Sequence, residues 1–280
     1  MSAPLDITSL DVVDIWVNLV TEQSAQAFVT QEGYENIPGY LGSNRQPVGV
    51  ESLLATMDEL GVATGIFTGG LDRHSDTLLE ICDSHPGRFL VAGGVGDPSR
   101  PGRAVRRIRE LAQHPAFAMV RVMPLASQVP TNDARHYPIY QVCEELGLPV
   151  AINAGIPGPR VRSRVQHPEL LEDVLIDFPD LTVIVAHMGH PYEELLMNYM
   201  RKWSTLYVSC TAYAPKYMDP NLVAFMNSKT YRGRVLWGSD EPWFPMRRSL
   251  AEARALPLDD EAMALFLGGT ARKLLSRAAR

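Results

Sequence analysis

Residues 169–200 read ELLEDVLIDFPDLTVIVAHMGHPYEELLMNYM. ELLEDVLIDF has apolar residues at helical spacing. LTVIVAH is a short, unbroken apolar run with β-branched residues, and YEELLMNYM returns to the helical period. A strand that is apolar throughout, with no apolar/polar alternation, suits a parallel sheet buried on both faces. This helix–strand–helix unit decides how the rest of the chain is read.

The same alternation continues in both directions. Strand-like runs stand at 12–20 (VVDIWVNLV), 63–68, 88–95, 117–123, 149–153, 181–187, 206–210 and 234–239. Helical segments lie between them: ESLLATMDEL, DTLLEICDSH, GRAVRRIREL, PIYQVCEEL and PNLVAFMNS, with the pair DDEAMALFL and TARKLLSRA after the last strand. Pro138, Pro168, Pro191 and Asp219–Pro220 mark helix starts, and Gly61 and Gly147 mark exits. Eight strand–helix units in a chain of this length are the arithmetic of an α/β (β/α)8 barrel. A doubly wound open sheet is the weaker alternative, since no Gly-rich turn follows the first strand. No linker divides residues 1–280, so a single domain is expected. Residues 21–48, between the first strand and its helix, are too long for an ordinary connection and are expected to form a lid.

The 280 residues are 46% hydrophobic and 21% charged, a globular balance that argues against disorder. A net charge of −6, with no clustered basic face, argues against nucleic acid as a partner. Cys82, Cys143 and Cys210 form neither a disulfide framework nor a zinc knuckle and are expected in the core. MSAPLDITSLD lacks a signal-peptide pattern, and no apolar run reaches membrane-spanning length. A cytoplasmic protein acting on a small molecule is expected, and Trp243 and Phe244 could serve homo-oligomerisation.

In such a barrel the chemistry sits where strands end. The polar inventory there is Trp16 and Asn18, Arg121, Asn153, His187 with His190, then Cys210, Thr211 and Tyr213, and finally Asp240 with Glu241. Asp240 is the natural general base, with His187 as its partner. Arg121, inside an apolar strand, needs an anionic partner, either a neighbouring carboxylate or a substrate acid. Arg160, with Arg162 and Arg164, follows the fifth strand, where a carboxylate could be gripped bidentately. His190 and Tyr213 are further substrate-contact candidates.

VIVAHMGHP at a sixth strand, RVLWGSDEP at an eighth and the closing DDEAMALFLGGTARKLL resemble the amidohydrolase superfamily. The nearest group is amidohydrolase 2, which holds aromatic-acid decarboxylases, hydratases and lactonases. GIPGPR, YMRKW and TAYAPKYMDPNLVAFM carry the same resemblance. It implies a metal held by an HxH pair on strand 1, a His on strand 5, a His on strand 6 and an Asp on strand 8. This chain keeps His187 and Asp240 but has Trp16 and Asn18 for the pair and Asn153 for the strand-5 His. Two ligands are fewer than zinc needs. The expectation is an enzyme without a tightly bound metal, a hydrolase or carboxy-lyase for a cyclic or aromatic carboxylic acid or lactone. Asn18 and Asn153 would be substrate donors and Trp16 an apolar wall. The alternatives are zinc or manganese on His187, Asp240 and an added acidic ligand, or a ligand-binding pseudoenzyme without turnover.

Overall fold

The computed structural model describes residues 11–41 and 47–275, so residues 42–46 of the expected lid lie outside the described residues, as do both termini of the expected 1–280 domain. Eight parallel strands run in sequence order around a single (β/α)8 barrel. They are β1 (Val12–Val17), β2 (Val62–Gly70), β3 (Phe89–Val95), β4 (Phe117–Val122), β5 (Val150–Asn153), β6 (Val183–Ala186), β7 (Leu206–Ser209) and β8 (Val235–Leu236). Every residue of β1, β4, β5 and β6 is buried, the physical reason these strands read as continuous apolar runs.

The strands divide their side chains between two cores. Val13, Ile15, Ile66, Ala92, Met119, Ala151, Ile184 and Leu236 share one cluster. Val12, Phe67, Val91, Val120, Val150, Val183 and Val235 pack with helix residues such as Met57, Ile108, Val142 and Leu171 in the other. Because successive residues of a strand point to opposite faces, Met119 and Ala151 fix the parity of β4 and β5. Arg121 and Asn153, two residues further on, share their inward face.

Local chemistry places the helix boundaries. Gly61 and Gly147 end the helices Val50–Leu60 and Tyr137–Leu146 at φ 72° and 61°, a left-handed conformation that glycine adopts without a Cβ penalty. Asp219 caps the helix Pro220–Asn227, its side chain accepting the Asn221 N–H at 2.7 Å. Several helices depart from the sequence reading, among them the short Ile37–Leu41 and Pro124–Ser127. Glu22–Val29 forms inside the segment expected to be loop, started by a Thr21/Ser24 capping box. Met246–Arg254 follows β8, with Met246, Ser249, Leu250 and Ala253 buried at the i, i+3, i+4, i+7 spacing. No helix among the described residues is long and apolar enough to cross a membrane.

Candidate active site

Asp240 follows β8 with φ 72°, and His187 follows β6 with φ 60°; both lie in the left-handed region that non-glycine residues seldom occupy. Such conformations persist where the surroundings over-determine them, and they cluster at working sites. Each side chain is fixed by a neighbour from another strand end. Asn18 donates one amide hydrogen to Asp240 Oδ1 at 2.9 Å and one to the Glu241 carbonyl at 2.9 Å. The Asn18 amide oxygen accepts in turn from the Thr68 hydroxyl at the end of β2. His187 Nδ1 lies 3.1 Å from the Thr211 carbonyl oxygen and 2.9 Å from its hydroxyl, and the His187 N–H donates to that hydroxyl at 3.2 Å. A carbonyl only accepts, so Nδ1 carries the proton and Nε2 is left with the lone pair.

Arg121 joins the two. Its guanidinium lies 4.6 Å from the centre of the Trp16 ring, and Trp16 meets the His187 ring edge-on at 5.0 Å. It donates a soft hydrogen bond to the Met123 sulfur at 3.2 Å, and its Nε is buried without a partner. Gly94 on β3 makes room for it, since a Cβ there would come within 3.3 Å of Nη2 and 3.0 Å of the Gly69 carbonyl. Asn153 is buried on the adjacent strand with its Oδ1 unpaired.

Burial in this cluster sets the charges. Loss of water raises Asp240 to about 7, while the Asn18 hydrogen bond and the Arg121 charge pull it down and Asp14 and Glu241 push it up. Burial lowers His187 to about 4, opposed by the Thr211 carbonyl and reinforced by Arg121. Burial lowers Arg121 to about 10, with Asp240 countering, so it stays a cation at neutral pH. Near neutrality the site therefore holds a neutral imidazole, a fixed cation and a carboxyl group divided between its two forms.

The family model described as Amidohydrolase, of the amidohydrolase 2 group, matches residues 13–277. The chain belongs to the amidohydrolase family. Among curated proteins none matches. An uncharacterised TIM-barrel protein from Bordetella bronchiseptica is 21% identical, with TM-score 0.77 over 96% of this chain and 99% of its own. The 5-carboxyvanillate decarboxylase of Novosphingobium aromaticivorans, complexed with manganese and 4-hydroxy-3-methoxy-5-nitrobenzoic acid, is 16% identical, with TM-score 0.75 over 97% of each chain. A 2,6-dihydroxybenzoate decarboxylase from Rhizobium is 16% identical, with TM-score 0.69 over 95% of this chain and 98% of its own. Identities this low establish a shared fold.

The donor set of this amidohydrolase does not fit a divalent metal. Among the described residues no three His, Cys, Asp or Glu side chains converge. Trp16 offers no lone pair, Asn18 turns its N–H groups toward Asp240, and the Arg121 cation stands among the residues that remain. Glu241, the acidic residue next to Asp240, accepts the Met246 N–H at 2.5 Å at the start of the helix Met246–Arg254.

The remaining candidates fall outside this cluster. His190 bonds Glu193 Oε1 through Nδ1 at 2.6 Å, and Tyr213 stands beside it with its hydroxyl 3.4 Å from the same nitrogen. Arg160 is exposed; its N–H donates to the Gly33 carbonyl at 2.6 Å and clips the 21–41 segment to the loop after β5. Trp243 is no free surface aromatic, because it stacks on Phe28 at 4.8 Å next to Tyr34, Ile37 and Leu125. Asn18 differs from its expected role as a substrate donor, since both of its amide hydrogens are spent on orienting the Asp240–Glu241 turn. Sequence reasoning missed Asp14, Thr68, Ser239 and Glu193. Only Asp14 carried a signal, as a lone charge inside an otherwise apolar strand.

Proposed function

We propose that this amidohydrolase is an enzyme that decarboxylates a small aromatic or cyclic carboxylic acid without a tightly bound metal. The observation that carries the reading is Asp240, bonded by the Asn18 amide and acted on by the Arg121 charge, a carboxyl raised to about 7. The fold is shared with decarboxylases of 5-carboxyvanillate and 2,6-dihydroxybenzoate, which supports the substrate class.

In this mechanism Arg121 and Asn153 anchor the acid group, and the Trp16 ring provides a flat wall for the substrate. Protonated Asp240 gives its proton to the ring carbon that bears the carboxylate. The bond from that carbon to the carboxylate then breaks, its electron pair restores the ring, and carbon dioxide leaves. Asp240, now ionised, recovers a proton from water. A carboxyl that titrates near working pH passes through both forms at little cost, which is what general acid–base catalysis requires. His187, neutral and accepting at Nε2, stands ready to hold a substrate hydroxyl. His190, Tyr213 and Arg160 would contact the substrate from the outer rim, beneath a lid to which residues 21–41 belong.

Lactone hydrolysis is the second reading. It is favoured by the ionised share of Asp240, which could take a proton from an attacking water while Arg121 polarises the carbonyl. In either case the partner is a small molecule rather than nucleic acid, and the setting is the reducing cytoplasm that suits three buried thiols.

The test is incubation with 2,6-dihydroxybenzoate, related hydroxybenzoates and aryl lactones in excess chelator. Carbon dioxide release, uptake of solvent deuterium on the ring, and acid release are followed. Decarboxylation is expected to place one deuterium where the carboxylate stood. Turnover that appears only after zinc or manganese is added would overturn the metal-free mechanism, and binding without turnover would point to a pseudoenzyme.

A further inference from the structure

The ladder runs from β1 to β8, but the closing seam between β8 and β1 has few backbone bonds. Ile15 N–H reaches the Trp237 carbonyl at 3.5 Å, Asp240 N–H donates to the Trp16 carbonyl at 2.9 Å, and Asn18 N–H donates to the Glu241 carbonyl at 2.8 Å. Side chains supply the rest. Asp14 is fully buried in β1, yet each of its oxygens is bonded: Oδ1 accepts the Trp16 N–H at 3.0 Å and the Ser239 N–H at 2.9 Å, and Oδ2 accepts the Ser239 hydroxyl at 2.5 Å. The Ser239 oxygen accepts in turn from the Glu241 N–H at 2.9 Å. Residues 239, 240 and 241 are thus each tied to β1 or to one another, and the middle one is Asp240 in its left-handed conformation.

We propose that Asp14 is a positioning residue: its carboxylate clamps Ser239 across the seam and so holds the Asp240 turn in the geometry that presents the Asp240 carboxylate to Asn18 and Arg121. A buried carboxylate is a costly way to fill barrel space. An apolar residue would pack β1 as well but could not bind two donors of Ser239 at once. Burial raises Asp14 to about 7 against the pull of those hydrogen bonds, and its nearness adds to the upward push on Asp240. The proposal rests on Asp240 being the acid–base group, but the clamp can be read out separately.

The Asn18 side-chain amide, bonded to Asp240 Oδ1 and the Glu241 carbonyl, reports on the turn without any substrate. Its two resonances in a nitrogen-15-labelled protein are identified by their loss in Asn18→Asp. In Ser239→Ala and Asp14→Asn they are expected to move toward the position of free asparagine amides, further still in Asp14→Ala. Asp14→Asn should be milder than Asp14→Ala because it keeps a carbonyl oxygen for the Ser239 N–H. With an aromatic acid turned over by the wild type, kcat should fall roughly tenfold to hundredfold in Ser239→Ala with KM little changed, the signature of a misplaced catalytic group. Unmoved Asn18 resonances in folded Ser239→Ala and Asp14→Asn would refute the clamp. If Asp14→Ala does not fold, Ser239→Ala, which removes one hydroxyl, still decides. Resonances that move while kcat does not would leave the clamp standing and overturn the acid–base role of Asp240 instead.

Discussion

Asp240 and His187 are both half-buried at the barrel mouth, and loss of water moves them in opposite senses, so pH acts on them with opposite signs. A carboxyl raised to about 7 binds more protons in the folded chain than in the unfolded one. Its stabilising contribution is full below the ordinary carboxyl range, near 4, and is lost as pH rises to about 7. His187, lowered to about 4, works the other way: its contribution is full above about 6.5 and is lost as pH falls toward 4. Asp240→Asn keeps the shape, and its amide oxygen can still accept from Asn18, but the residue no longer ionises. Turnover is expected to fall about 10²- to 10⁴-fold, the usual worth of a general acid–base group. The melting temperature of this variant should exceed that of the wild type at pH 8, with the difference shrinking as pH falls toward 4. Melting curves at the two pH values check the sign, and equal wild-type and variant stabilities at pH 8 would mean that Asp240 is not strained by its burial. A site that trades stability for chemistry shows this pattern.

At the scale of elements, the strands were legible and the helices less so, for a physical reason. A strand buried on both faces leaves a continuous apolar run that survives without context, and even β8, two residues long, sits inside the run read at 234–239. The helix Met246–Arg254 carries four buried residues among charged ones, and its MRRSLAEAR sequence blends into the surrounding loop. Glu22–Val29 is shorter still and buries only Ala25 of its own length. What holds that segment is contact with other loops. Phe28 stacks on Trp243, Asn36 donates to the Gly158 carbonyl at 2.8 Å, and Gly33 accepts from Arg160. No local pattern announces such contacts. Trp243→Ala should therefore loosen residues 22–37 without melting the barrel. The lost stack alone is worth about 0.5–1.5 kcal/mol beyond its buried area. Amide hydrogen exchange is expected to quicken in that segment and to stay slow in β1 through β8; uniform quickening would mean that Trp243 supports the barrel rather than this segment. The site was legible in the same uneven way. His187, Asp240 and Arg121 stand out at strand ends, whereas Thr68 and Ser239 are ordinary polar residues until the barrel closes and brings them to Asn18 and Asp14.

For the whole molecule, the question is what supplies positive charge at the end of the barrel. The 5-carboxyvanillate decarboxylase of the same fold is complexed with manganese. Here Arg121 contributes one fixed charge that cannot be dialysed away, and it is tied to the same two groups, Asp240 and His187, through their electrostatics. The two arrangements respond differently to mass action. A metal that binds the folded chain alone stabilises it by RT ln(1 + [L]/Kd), about 2.7 kcal/mol at a hundredfold excess over Kd. In a chain of this size that would raise the melting temperature by several degrees. With Arg121 in place, one millimolar manganese or zinc is expected to leave the melting temperature of the wild type unchanged, and dialysis against chelator is expected to leave its turnover unchanged. Arg121→Met removes the cation while keeping an unbranched, apolar side chain over Trp16. It should abolish turnover and make Asp240 harder still to ionise, because the charge that pulls its pKa down is gone. A rise of several degrees in the wild type on adding manganese, reversed by chelator, would show that the chain binds a metal and would overturn the metal-free reading.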